Sequence, residues 1–246
     1  MQLPVDYILH LADTALVLGH RNSEWCGHGP VLEQDIAITN ISLDLIGQAR
    51  HFYQYAATLL GDGYSEDRLA YFRSAAEFKN LTLAELPKED WAHTILRQFY
   101  ISSYQSLLFS YLKQEKDEQV AAIAEKCLKE ITYHLRWSSE WVIRLGDGTE
   151  ESKLRIEKAA ANLHPYLAEI FFPAFYEQFL AEADRQEIKK QWLARANEIF
   201  EEAGLLFPGI GNSNGYAGKT GQHTVYLEQL LTEMQVLPRT YPDAVW

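Results

Sequence analysis

Cysteine is nearly absent from this chain. Only Cys26 and Cys127 occur in 246 residues, far apart and in no metal-ligand spacing. That excludes a disulfide scaffold and a zinc-type cluster, and both thiols are expected to be reduced in a cytoplasmic setting. Long apolar runs are missing too, and so is a signal peptide, so neither membrane insertion nor export is expected. Basic residues are in deficit, with 22 Lys and Arg against 34 Asp and Glu and a formal charge of −12. Nucleic acid is thereby excluded as a natural partner, because phosphates reward a basic face. An anionic membrane surface is disfavoured for the same reason. No Walker loop and no Ser-His-Asp grouping stands out in residue order.

Proline is scarce where it matters most. Between Pro30 and Pro165 only Pro87 interrupts the chain, so long helices are permitted throughout that region. Apolar residues recur at helical spacing from about Asp6 to Arg21, with Ile8, Leu11, Ala12, Ala15 and Leu18 on one face. A second helix is predicted from Pro30 to Leu60, ending at Gly61–Gly63. A loop carrying the short segment "EDRLAYFR" follows. The third long helix opens at Glu89 and Asp90, acidic residues favoured at the positive helix end, and runs to about Lys113. After "KQEKDEQ" a fourth is predicted from Gln119 to Leu145, antiparallel to the third.

Beyond it, a helix should kink or break at Pro165, and another should span Asp184 to Ala203. A glycine- and asparagine-rich loop then leads to a short last helix ending before Pro238. No credible strand pattern occurs. The fold class expected is all-α: one domain over residues 1–246, with a core bundle at about 5–172 and C-terminal helices and a loop at about 173–246.

A helical bundle of this size invites a metal test. Ferritin-like di-iron sites take one Glu from each of two helices and Glu-x-x-His from each of two others. This chain contains no Glu-x-x-His. Asp90 and His93 have the right spacing, but they fall at a helix start, where capping is the expected role. In "KEITYH", Glu130 and His134 stand four apart, and Tyr133 occupies the register of a ligand histidine. On the second helix Asn40, Asp44, Gln48 and His51 form a polar stripe, while Ile38, Ile41, Leu45 and Phe52 supply apolar packing. The stripe reads either as a solvated face or as an interior network that must find cations or donors. Arg50, Lys129 and Arg136 are the nearest cations in sequence. The degenerate site expected is therefore Asp44, Gln48, Glu130, Tyr133 and His134, with no metal bound and no catalytic residue.

Three collinear stretches then carry a family resemblance: "EWCGHGPVLEQDIAITNISLDLIGQARHFYQYAA", "KEITYHLRWSSEWVIRLGDGT" and "AGKTGQHTVYLEQLLTEMQ". They resemble the non-catalytic structural subunits of bacterial phenylacetyl-CoA epoxidases, over most of the chain. The resemblance implies a ferritin-like bundle inside a multicomponent oxygenase that epoxidises the ring of phenylacetyl-CoA. It implies a homologous catalytic subunit as partner, which holds the di-iron centre and most of the substrate, and a reductase that supplies electrons. It leaves self-association open. Tryptophans (Trp25, Trp91, Trp137, Trp141, Trp192 and Trp246) are candidates for a docking face or for the core.

Two further readings compete at the residue level. Lys219 and His223 in "GYAGKTGQHT" are candidates for contact with the phosphates of coenzyme A, against an ordinary loop before a helix. The alternative function is a stand-alone oxidase or oxygenase with an atypical metal set, Asp44, Glu130 and His134.

Overall fold

The computed structural model describes residues 2–211, 217–242 and 244. Ten α-helices are built among them: α1 (Val5–Ser23), α2 (Leu32–Leu60), α3 (Glu66–Tyr71), α4 (Thr82–Glu85), α5 (Trp91–Leu112), α6 (Glu118–Gly146), α7 (Glu150–Leu163), α8 (Leu167–Phe171), α9 (Glu182–Glu202) and α10 (Val225–Thr240). No strand occurs among the described residues, only an isolated bridge between Ala217 and Gln222. No helix among the described residues is long and apolar enough to cross a membrane.

Four long helices make the core. α1 packs along α2, α5 along α6, and α2 against α6 joins the two pairs. α1 and α5 are buried nearly all round, whereas α2 and α6 bury one side. That difference follows from composition, since α5 carries Ile95, Leu96, Phe99, Tyr100, Ile101, Leu108 and Leu112 on several faces. Each such side chain, fully buried, contributes about 1.5–3 kcal/mol before ordering costs. Local chemistry sets the helix starts. Asp90 accepts from the His93 backbone N–H at 3.0 Å, and Asp117 accepts from Val120 N–H at 3.2 Å.

Pro165 ends α7 in a 3₁₀ turn, the break its missing N–H predicts. Pro238 does not stop α10, which continues to Thr240. Near a helix end proline forfeits little of the ladder, so the predicted stop there is corrected.

The connection from α2 to α5 departs most from the sequence pattern. That pattern predicts a loop, yet residues 80–86 are all buried. A buried connection must satisfy its backbone groups internally. Asp13 of α1 accepts from the Lys79 N–H at 2.8 Å, and Thr14 Oγ1 accepts from the Leu81 N–H at 3.2 Å. His10 Nδ1 lies 2.6 Å from the Lys79 carbonyl. Arg21 donates to the Glu85 carbonyl at 3.0 Å, and Arg97 donates to the Leu86 carbonyl. Polar residues on otherwise apolar core helices thus serve to carry a crossover through the interior.

The tryptophans mostly join the packing. Trp91 meets Trp25, Trp137 and Trp141 edge to face, with ring centroids 5.0, 6.0 and 6.1 Å apart. Gln34 Oε1 accepts from the indoles of Trp137 and Trp141 at 3.1 and 2.8 Å. Trp192 is buried and donates to the Tyr100 carbonyl at 3.0 Å. Trp246 lies outside the described residues.

Candidate functional site: paired polar groups inside the bundle

The polar stripe of α2 faces α6 for most of its length. His134 Nε2 lies 2.9 Å from Asp44 Oδ2, and Gln48 Nε2 donates to Glu130 Oε2 at 2.9 Å. Further along, Lys126 Nζ lies 2.6 Å from His51 Nε2. Positions 44, 48 and 51 on one helix meet 134, 130 and 126 on the other, as antiparallel neighbours require. Asn40 leaves the ladder and is exposed.

Tyr133 does not occupy the inward register. It is 48% exposed, while His134 is fully buried. Residues four apart on a helix diverge by only about 40°, so Glu130 and His134 share the side facing α2. Tyr133 lies about 100° from His134 and points away. The expectation that Tyr133 stands in the ligand position is corrected by this geometry. Arg50, Lys129 and Arg136 are likewise exposed, with Arg50 held by Glu66 at 2.8 Å and Arg136 by Glu140 at 3.0 Å. None of them neutralises the ladder.

A second interior pair carries little signal in the sequence. Asn22 of α1 donates to Gln98 Oε1 of α5 at 2.6 Å, and Gln98 donates to Ser102 at 2.7 Å. All three are buried. The one hint in residue order is amide side chains within strongly apolar helices, which must be paired.

These groups decide whether a di-iron centre fits. The pattern such a centre needs is one carboxylate from each of two helices and Glu-x-x-His from the others. α1 and α5 offer the neutral amides of Asn22 and Gln98, which bond to each other, and the one buried carboxylate of α1, Asp13, is taken by Arg73 and Tyr53. α2 and α6 offer two carboxylates and one imidazole, each already matched to a partner across the interface. Among the described residues, no three His, Cys, Asp or Glu side chains converge where they could hold a metal ion. The donor set does not fit the di-iron centre that the fold family implies.

Lys219 and His223 point inward. Lys219 is 3% exposed, and its ammonium donates to Glu177 at 3.0 Å and to the Ile170 and Phe172 carbonyls at 3.2 and 3.1 Å. All three of its protons are used, leaving none for a phosphate. Glycine is required around it, because a Cβ at Gly218 would collide with the Asn80 carbonyl and one at Gly221 with that of Ala76. The "AGKTG" segment is thus a buried fastening, and residues 212–216 of the same loop lie outside the described residues.

His223 is held from both sides. Its Nδ1 is 2.6 Å from Glu85 Oε2 and its Nε2 is 2.9 Å from the Phe78 carbonyl. Both neighbours are acceptors, so both ring nitrogens carry protons and the imidazole is cationic. Burial opposes that charge, but the Glu85 contact outweighs it, and the pKa is raised above its ordinary 6.5. Glu85 also accepts from Thr224 N–H at 2.6 Å and Asn80 Nδ2 at 2.8 Å, and Glu169 adds to the negative field. With its folded pKa raised, the His223 contribution is complete below pH 6.5 and fades as pH rises through the folded value. Thermal denaturation should therefore show stability falling above pH 6.5 by an amount that His223→Gln abolishes; an unchanged slope in the variant would refute the assignment.

Taken together, the fold and its interior define a ferritin-like helical protein in which Asp44 pairs with His134, Gln48 with Glu130 and Asn22 with Gln98 across neighbouring helices. The whole described architecture agrees with a match to the phenylacetic acid catabolic protein family over residues 2–246. The chain belongs to that family. It is 42% identical over 246 residues to one of the subunits of the 1,2-phenylacetyl-CoA epoxidase of Escherichia coli (strain K12), with 98% of each chain covered.

Proposed function

We propose that this chain is a structural, metal-free subunit of a multicomponent di-iron oxygenase that epoxidises the aromatic ring of phenylacetyl-CoA. It supports a homologous catalytic subunit, which holds the di-iron centre and most of the substrate, while a reductase supplies electrons. The observation that carries this reading is the donor set between the helices. Asp44 meets His134, Gln48 meets Glu130 and Asn22 meets Gln98, so each potential ligand is occupied by a neighbouring side chain. Such pairs hold helices in register and give each buried side chain one hydrogen-bond partner without a cation, although Asn22 Oδ1, Gln48 Oε1 and His134 Nδ1 have none. The similarity to a protein named as one subunit of an epoxidase supports the partnership.

Metal analysis of the purified chain, alone and co-expressed with the catalytic subunit, tests the proposal. No stoichiometric iron or cobalt is expected on the isolated chain, and iron in the complex should track the amount of partner. Tight stoichiometric iron on this chain alone, with O2-dependent turnover, would establish the stand-alone oxidase built on Asp44, Glu130 and His134 instead.

A further inference from the structure

Four arginine and lysine side chains are buried among the described residues: Arg21, Arg73, Arg97 and Lys219. Arg21 meets Glu24 at 2.6 Å, Arg73 meets Asp13, and Lys219 meets Glu177 at 3.0 Å. Arg97 breaks the pattern. It is 1% exposed, and among the described residues no carboxylate pairs with it. Only Nη1 is engaged, donating to the Leu86 carbonyl and, at 3.3 Å, to that of Pro87. Nε and Nη2 are enclosed and have no hydrogen-bond partner.

Those two nitrogens form one edge of a planar group. Their N–H bonds lie parallel, in the fork that receives an anion side-on through two charge-assisted bonds. A buried charge left without such a partner is among the costliest arrangements in a folded chain.

The surroundings add to the positive charge. Arg21 of α1 donates to the Glu85 carbonyl at 3.0 Å, so guanidiniums from α1 and α5 converge on consecutive carbonyls of the crossover. Lys88 stands nearby, with Nζ 3.1 Å from the Glu24 carbonyl. Glu24 is the acidic group that acts on Arg97, and Arg21 already holds it. Burial, and then the field of Arg21, push the Arg97 pKa down to about 9, which leaves the side chain charged at neutral pH. The net charge of −12 repels anions in general, and only a local cationic site overcomes that field.

We propose that the Nε–Nη2 edge of Arg97 binds a small monovalent anion, a halide or a planar oxyanion such as formate or bicarbonate, beside the crossover at Leu86–Pro87. The ion supplies the counter-charge that Glu24, Asp13 and Glu177 give to the other three cations. Water is the competing occupant. It would satisfy both donors but leave the charge uncompensated. Both nitrogens are sealed from the surface, so the occupant is internal and small.

The test uses the full-length chain dialysed into gluconate, an anion too bulky for an enclosed site. Chloride, bromide, formate or bicarbonate is then added at constant ionic strength near neutral pH. Tm should climb by roughly 3–5 °C for each tenfold rise in the fitting anion above its Kd. Arg97→Met should abolish that slope. A response to halides alone, or to oxyanions alone, supports the site and names its occupant. Should the variant fail to fold, wild-type crystals grown in the responding anion decide, with bromide in place of chloride for its anomalous signal. The ion should then lie within hydrogen-bond reach of both Nε and Nη2. No anion-specific slope, an equal slope in Arg97→Met, or water alone at that edge would each overturn the site. So would an adventitious ion only, seen as density in the crystal without any effect on Tm.

Discussion

Asp13→Ala is expected to cost about 3–5 kcal/mol of stability, because it leaves a buried guanidinium without its counter-ion. In a chain of this size that corresponds to a fall in Tm of roughly 10 °C. Asp13 is fully buried on α1 and takes four donors. Tyr53 OH approaches Oδ1 at 2.6 Å, Lys79 N–H and Arg73 Nη1 approach Oδ2 at 2.8 and 3.1 Å, and Arg73 Nη2 also reaches Oδ1. Burial disfavours the Arg73 charge, yet Asp13 outweighs it and holds the guanidinium above its usual range. Removing the carboxylate therefore strands a cation and frees a phenol and an amide at once. Asp13→Ala/Arg73→Met should recover part of the loss, since the stranded charge goes too. Calorimetry on the two singles and the double measures the coupling; purely additive effects would refute the pair as the source.

Lys219→Ala is the second large loss expected, again about 3–5 kcal/mol near neutral pH, for the mirror-image reason. Here a buried carboxylate is stranded. Burial pushes the Glu177 pKa up, but Lys219, with His10 and the Ala174 N–H, together pull it below the ordinary 4.5. A lowered folded pKa means that the wild-type contribution is present above pH 4.5 and is lost as pH falls through the folded value. Without Lys219 only burial and weaker contacts remain, so Glu177 binds its proton more readily. The deficit in Tm between variant and wild type should consequently shrink as pH is lowered from neutral towards 4.5. Hydrogen exchange should localise the loosening to the turn after α8 and to residues 217–221. A pH-independent deficit would contradict the stranded-carboxylate explanation.

Much of the molecule is readable without coordinates, and the reason is locality. Helix starts depend on side chains within a turn, so Asp90 announces α5. The absence of Glu-x-x-His is also a local fact, and so is proline spacing. Long collinear similarity places the chain in its family because it accumulates over many positions.

Partners across large separations are another matter. Asp44 and His134 are 90 residues apart, Asn22 and Gln98 76, and His223 and Glu85 138. Nothing in the residue order selects one partner for such a group, since burial and crossing geometry do the selecting. The loop with Lys219 resembles a phosphate cradle because glycine and a cation are what such cradles contain. Only the tertiary structure brings Glu177 and two carbonyls to that ammonium and turns the segment into a fastening.

The stretch from Lys129 to His134 shows the division most plainly. Sequence determined that Glu130, Tyr133 and His134 share a helix and that the ligand spacing is absent. Packing decided which way that helix is rotated, placing His134 against Asp44 and leaving Tyr133 at the surface. Rotation of a helix about its axis is set by the faces it buries against its neighbours, and those faces exist only once the bundle has formed.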